Sequence, residues 1–197
     1  MWLPMRKYEV NEIFYSVQAE GRNAGRAAAF VRFSGCNLDC PFCDTNHEES
    51  VEMTAAEIDR AVAELAPAGA MVVFTGGEPT LQLSDGEELC RGYFRAIETN
   101  GIIPAPRWID WVTISPKTEI PDGNLFRANE IKMLYGWQNE ARMKRVEATV
   151  APRAVLLYAQ PIADEKGNFA VGEVVDFVKR NPAWRLSLQW HKLFNIR

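Results

Sequence analysis

No apolar run in this sequence is long enough to span a membrane, and residues 1–10 lack the apolar core of a signal peptide. Neither a membrane anchor nor export is expected, and the chain reads as cytoplasmic. Basic charge is not in excess either: 22 Lys and Arg stand against 26 Asp and Glu, a formal net charge of −4, with both signs interspersed. No basic face for nucleic acid or anionic lipid is announced, which leaves a small molecule as the expected partner. Internal repeats, low-complexity tracts and linkers are missing, and 197 residues suit one compact core domain over 1–197. Cysteine is scarce, with four residues, three of them crowded into one stretch; that distribution suits metal chemistry in a reducing compartment and not a spread disulfide framework.

That stretch is Cys36-Asn-Leu-Asp-Cys40-Pro-Phe-Cys43. Thiolates bind iron-sulfur clusters or zinc, and both usually take four protein ligands, so three close cysteines leave one position to be explained. Structural zinc completed by His47 or Cys90 is one solution. The Cys-x3-Cys-x2-Cys spacing argues against it, because all three ligands lie on one loop without a second knuckle, and a lone Cys90 inside an expected helix reads as a small buried hydrophobe. If three cysteines hold a four-iron cluster, one iron is left for a substrate or cofactor.

Around this loop the chain alternates short β-like runs with helical segments. Strands are expected at 28–34, 70–75, 93–99, 111–115, 130–135, 154–160 and 184–191, the last with Trp184, Leu186, Leu188 and Trp190 on one face. Thr54 with Glu57 and Ser84 with Glu87 form capping boxes, the first opening a helix that Pro67 stops, the second a short helix ending near Gly92. A polar helix is expected around 138–146, and Val171, Val174, Val175 and Val178 give the last helix its buried stripe. This is an α/β pattern with a mostly parallel sheet whose function-bearing loops lie at the carboxyl ends of strands. A complete eight-unit barrel would want about 250 residues, so an incomplete, open β/α barrel of about six mostly parallel strands with few helices is expected.

Thr75-Gly-Gly-Glu-Pro79 follows the second expected strand, and adjacent glycines let backbone approach a ligand closely. Together with the cysteine loop, this segment resembles the radical S-adenosylmethionine (SAM) superfamily, in which three cysteines hold a 4Fe-4S cluster and the amino and carboxyl groups of SAM chelate the fourth iron. More narrowly, the chain resembles the 7-carboxy-7-deazaguanine synthase family nearly end to end. The matching pieces are Asn11-Glu-Ile-Phe14, Gln18-Ala-Glu-Gly21, Phe30-Val-Arg32, Cys43-Asp-Thr45, Glu98-Thr-Asn-Gly101, Ser115-Pro-Lys117, Gln160-Pro161 and Gln189-Trp-His-Lys192.

The resemblance implies a radical SAM lyase of queuosine and deazapurine biosynthesis. It would take 6-carboxy-5,6,7,8-tetrahydropterin to 7-carboxy-7-deazaguanine with loss of ammonia, using Mg2+, a homodimer and a flavodoxin-like electron donor. It assigns Cys36, Cys40 and Cys43 to the cluster and Thr45 to magnesium. Phe42, Cys43, Asp44, Gly77, Ser115, Pro116, Lys117 and Gln160 are assigned to SAM. Val17, Gln18, Ala19, Arg32, Thr75 and the terminal Arg197 are assigned to the pterin, with Arg32 pairing with its carboxylate. No catalytic group beyond this set is implied. Ala19 stands where the family usually has glycine, adding a methyl near the pterin edge. Two other readings remain: a radical SAM activase acting on a partner protein, and a non-catalytic iron-sulfur or zinc module with Cys90 as fourth ligand.

Overall fold

The structure, a computed structural model, describes residues 6–162 and 169–196. The chain divides into two compact units. The first comprises the chain up to Val17, Arg26–Thr99 and Ile103–Val112; the second comprises Gln18–Gly25, Asn100–Ile102 and the chain from Thr113 onward.

In the first unit the strand order is β3 (Val51–Thr54), β1 (Lys7–Val17), β2 (Ala27–Phe33), β4 (Met71–Gly76) and β5 (Phe94–Thr99). β1 runs antiparallel to both neighbours, while β2, β4 and β5 are parallel. One face carries Phe14, Ala28, Phe30, Met71, Val73 and Ala96 as a buried cluster, with Phe14 and Phe30 stacked at 4.9 Å. A bulge between Val10 and Glu12 divides β1. Before it, Val10 pairs with Phe33, and Tyr8 meets the Phe33 ring; after it, Glu12 and Phe14 pair with Arg32 and Phe30. The extra residue therefore turns Glu12 onto the face opposite Val10, although the two are only two positions apart.

Helix α1 (Ala55–Leu65) starts as its capping box predicts. Thr54 Oγ1 accepts from Glu57 N at 3.3 Å, and Glu57 Oε2 accepts from Thr54 N at 2.7 Å. Its apolar stripe buries Ile58 and Val62 against β1, β2 and β3, worth roughly 1.5–3 kcal/mol for each side chain. Thr54→Ala removes the acceptor and is expected to cost about 1 kcal/mol, read as a lowered urea midpoint at unchanged m-value.

The second capping box forms no helix. Ser84 Oγ accepts from Arg6 Nη1 at 2.8 Å and Glu87 Oε2 accepts from Tyr8 OH at 2.8 Å, so both box side chains are held by the start of the chain. Between β4 and β5 the described structure has only a 3-10 turn at Pro79–Leu81 before irregular chain. Cys90 lies in that irregular chain, not in a helix; it is 2% exposed, with φ +51° and its N–H on Asp59 Oδ1 at 2.7 Å.

β6 (Trp111–Ile114) straddles the division, its last two residues falling in the second unit. There β6, β7 (Glu130–Tyr135), β8 (Leu156–Pro161) and β9 (Trp184–Leu186) lie in sequential order and run parallel. The helices are α2 (Asp122–Leu125), α3 (Glu140–Val150), α4 (Val171–Arg180) and α5 (Trp190–Phe194). α3 begins at an Asn139 cap, two residues later than the polar pattern suggests, because Gln138 turns its amide to the Pro116 carbonyl at 2.8 Å. α4 buries Val174 and Phe177 and turns Val175 outward, the i,i+3 pair having replaced the expected valine stripe.

The alternation expected over 184–191 stops at Leu186. Ser187 is buried and Trp190 is 38% exposed, at the start of α5. The hydroxyl goes inward because it has partners there: Gln160 Oε1 at 2.9 Å and the Gly21 N–H at 3.2 Å. The expected strands are all present, that at 130–135 with its expected bounds and the others shorter or shifted, and β1 and β3 are added to them. The class is α/β, mostly parallel and poor in helix, as expected.

Candidate functional site

The cysteine loop leaves β2 at Ser34. Gly35 donates to the His47 carbonyl at 2.9 Å, closing the loop on itself. Cys43 N donates to Cys40 O at 2.9 Å, and Cys36 and Cys40 are half-buried while Cys43 and Asp44 are exposed. None of the three is in a disulfide. Burial pushes the Cys36 thiol above its ordinary value. Among the described residues no three His, Cys, Asp or Glu side chains are gathered as a metal-binding group. The donor set nevertheless fits a cluster: three cysteines outside any disulfide within eight residues of one accessible loop, with Cys90 buried elsewhere and tied to Asp59.

The glycine pair is explained by this loop. Gly77 N donates to Phe33 O at 3.0 Å and Glu78 N to Gly35 O at 2.8 Å, which lays the exit of β4 along the exit of β2. At Gly76, whose φ is +139°, a Cβ would collide with the Phe33 backbone; at Gly77 it would collide with the Gly35 carbonyl and come 3.1 Å from Cys36 Cβ. The close approach is thus to the protein's own cysteine loop. Glu78, fully buried, anchors the turn, its Oε1 accepting from Thr80 N at 3.0 Å, Thr80 Oγ1 at 2.5 Å and Thr99 Oγ1 at 2.7 Å.

One residue pair beyond the apolar layer of the first unit lies a polar row. Glu12 opposes Arg32 across β1 and β2, Arg32 opposes Thr75 across β2 and β4, and Glu98 follows the Phe74 to Ile97 pairing on β5. Arg32 Nε donates to Glu12 Oε1 at 2.8 Å, and Thr75 Oγ1 to Glu98 Oε2 at 3.1 Å. The structure therefore brings together Arg32 and Thr75, two of the residues expected at the pterin. Val17 ends β1 in the same unit. Thr45, half-buried, donates weakly to Asp44 Oδ1 at 3.4 Å, and its carbonyl lies 3.7 Å from Cys43 Sγ. Phe42 is half-buried in the same loop.

The second unit holds the other expected residues. Gln18, buried, folds its amide oxygen back onto Ala19 N at 2.8 Å and Glu20 N at 3.1 Å. Ala19 is 4% exposed, so its added methyl is packed away, and its carbonyl accepts from Trp190 N at 3.3 Å. Lys117 Nζ donates to Ser115 Oγ at 2.5 Å and to Ser115 O at 3.1 Å, closing the Ser115-Pro116-Lys117 turn on itself. Gln160 accepts from Ser187 and donates to Glu20 Oε1 at 3.4 Å, and the Glu20 carboxylate contacts the Lys132 ammonium directly. Arg197 lies outside the described residues.

Reading the sequence missed Glu12, Lys132 and Ser187. Lys132 had a signal: a charge between the apolar Ile131 and Met133 in the middle of the Glu130–Tyr135 strand. Glu12 lies in the matching piece Asn11-Glu-Ile-Phe14, but its face depends on the bulge, which no alternation shows.

Residues 30–113 match the model of the Radical SAM superfamily. The 7-carboxy-7-deazaguanine synthase of Bacteroides thetaiotaomicron is 45% identical over 197 residues, covering 98% of this chain and all of that one. The protein of the same name from Burkholderia multivorans is 37% identical over 212 residues, covering 96% and 99%. The crystal structure of QueE from Escherichia coli superposes with a TM-score of 0.73 at 24% identity, over 93% of this chain and 94% of that one, which shows the fold. With relatives this similar along their whole length, and with the cysteine loop and glycine turn inside the matched superfamily region, the chain belongs to the 7-carboxy-7-deazaguanine synthase family of radical SAM enzymes.

Proposed function

We propose that this chain, acting as a single radical SAM core, converts 6-carboxy-5,6,7,8-tetrahydropterin to 7-carboxy-7-deazaguanine with release of ammonia. The observation that carries the reading is the three-cysteine loop clamped by Gly76 and Gly77, in a chain 45% identical from end to end to a synthase of that name. When bound, a 4Fe-4S cluster and SAM supply the 5′-deoxyadenosyl radical that takes the hydrogen from C6. Cys36, Cys40 and Cys43 hold the cluster. Gly77 keeps the glycine turn against Cys36; this turn, with Phe42, Asp44, Ser115 to Lys117 and Gln160, provides the SAM contacts.

Arg32 meets the pterin carboxylate, since a planar guanidinium matches two oxygens at once. Thr75 stands next to it in register, its hydroxyl oriented by Glu98. Val17, Gln18 and Ala19 face the pterin edge, and Arg197 is its terminal contact. Thr45 offers its hydroxyl to Mg2+, a hard ion that keeps water and substrate oxygens for its remaining positions. The protein works in the cytoplasm as a homodimer fed by a flavodoxin-like donor; an acidic chain has no need to bind tRNA itself.

The test is anaerobic reconstitution with iron and sulfide, reduction, and incubation with SAM, Mg2+ and the carboxypterin. Mass spectrometry is expected to show the deazapurine carboxylate and equimolar ammonia. SAM cleavage to 5′-deoxyadenosine without that product would refute the substrate assignment. In the same assay Thr45→Ala is expected to raise the magnesium concentration for half-maximal rate by roughly tenfold, the scale set by losing about 1.4 kcal/mol of binding. An unchanged magnesium response removes Thr45 from that role.

A further inference from the structure

We propose that Glu12 is a positioning residue for Arg32: it holds the guanidinium by its Nε edge so that the two terminal nitrogens face an incoming carboxylate as a fixed fork. The inference rests on the reading that Arg32 takes the pterin carboxylate. It starts from the bulge between Val10 and Glu12, which places Glu12 directly opposite Arg32 on the face that also carries Thr75. Without that extra residue Glu12 would share the face of Val10 and Tyr8, away from the arginine.

The contact is an ordered one. Arg32 Nε to Glu12 Oε1 is 2.8 Å, with the two side chains 21% and 30% exposed, and the guanidinium carbon lies 5.9 Å from the centroid of the Phe14 ring. One edge and one face of the guanidinium are thereby taken. Its two terminal nitrogens have no partner among the described residues. Guanidinium-carboxylate recognition is strongest when two parallel N–H groups meet two oxygens, and a side chain already fixed gives up less rotamer freedom on binding.

Orientation and charge act in opposite directions here, which makes the idea testable. A carboxylate beside Arg32 repels an incoming carboxylate, so its charge alone weakens substrate binding, whereas its hydrogen bond strengthens binding by fixing the fork. Glu12→Gln keeps an acceptor and removes the charge; Glu12→Ala removes both.

Dissociation constants for 6-carboxytetrahydropterin and for tetrahydropterin lacking the carboxylate are measured on the reconstituted holoenzyme, alongside KM and kcat. For Glu12→Ala we expect the carboxylated pterin to bind roughly tenfold or more weakly, the weight of one hydrogen bond to a charged group, with kcat and the affinity for the carboxylate-free pterin unchanged. Glu12→Gln is expected to bind both pterins as the parent does, or the carboxylated one more tightly.

Three results overturn the proposal: no loss in Glu12→Ala, an equal loss for both pterins, or the same loss in Glu12→Gln as in Glu12→Ala. Arg32→Ala separates this inference from the reading beneath it. Loss of discrimination between the two pterins in that variant upholds Arg32 as the carboxylate partner; retained discrimination removes that role, and the proposal with it.

Discussion

Serine in place of Cys36, Cys40 or Cys43 is expected to take turnover below detection and to strip the reconstituted chain of most of its iron, while Cys90→Ser keeps its iron. The reason is the chemistry of the ligand. A thiolate forms near neutral pH once a metal is present, whereas a serine hydroxyl neither ionises there nor offers a soft donor to iron. Each of the three lies on the accessible loop that β2 delivers. Cys90 differs in every respect: it is buried, its N–H is held by Asp59, and burial pushes its thiol far above the ordinary range. Burying a hydroxyl there is expected to cost stability, about 1–3 kcal/mol, without touching the cluster. Iron analysis and the visible absorbance of the four variants decide it. Loss of iron from Cys90→Ser would restore the reading of a four-cysteine module.

What could be read from the sequence was what its local neighbours decide. The Thr54 and Glu57 box opens α1 because both partners lie within one turn, and β7 carries the bounds its apolar run announces. The Ser84 and Glu87 box has the same local signature and fails, since Arg6 and Tyr8, nearly eighty positions away, capture both side chains. The site divides in the same way. The cysteine loop and the glycine pair are legible as motifs, yet the steric need for glycine is visible only when the Phe33 and Gly35 carbonyls are seen beside them. Alternation alone sets Arg32 apart from Ala29, Val31 and Phe33, but it does not show that Phe30 and the buried cluster share its face. That Thr75 and Glu12 flank it depends on strand order and on a one-residue bulge, neither of which composition or periodicity encodes.

The same distinction makes Lys132 the residue whose loss should cost most in stability. It sits between Ile131 and Met133 in β7, its side chain 8% exposed and its ammonium against the Glu20 carboxylate, which is 11% exposed. Lys132→Met leaves that carboxylate in the interior without a cation and is expected to destabilise the chain by about 3–5 kcal/mol in urea. Lys132→Met with Glu20→Gln replaces the ion pair by neutral groups and is expected to recover most of that loss, because desolvation of both charges no longer has to be offset.

The reverse single variant, Glu20→Gln, carries a pH signature. Burial pulls Lys132 down from 10.5 to about 8, so above that pH the folded chain sheds a proton that the unfolded chain keeps. The unfolded state then binds more protons between about pH 8 and 10.5, so the parent's stability should rise with pH across that window, and Glu20→Gln, which removes the carboxylate that favours the ammonium, should start the rise at lower pH. Additive losses in the double variant, or a rise that starts at the same pH with and without Glu20, would show that the two charges do not act as a pair. A coupled result also reaches the site. Glu20 holds Gln160, Gln160 holds Ser187, and Ser187 holds the Gly21 N–H, so Lys132→Met should release the side chain proposed to meet SAM and raise its KM alongside the lost stability.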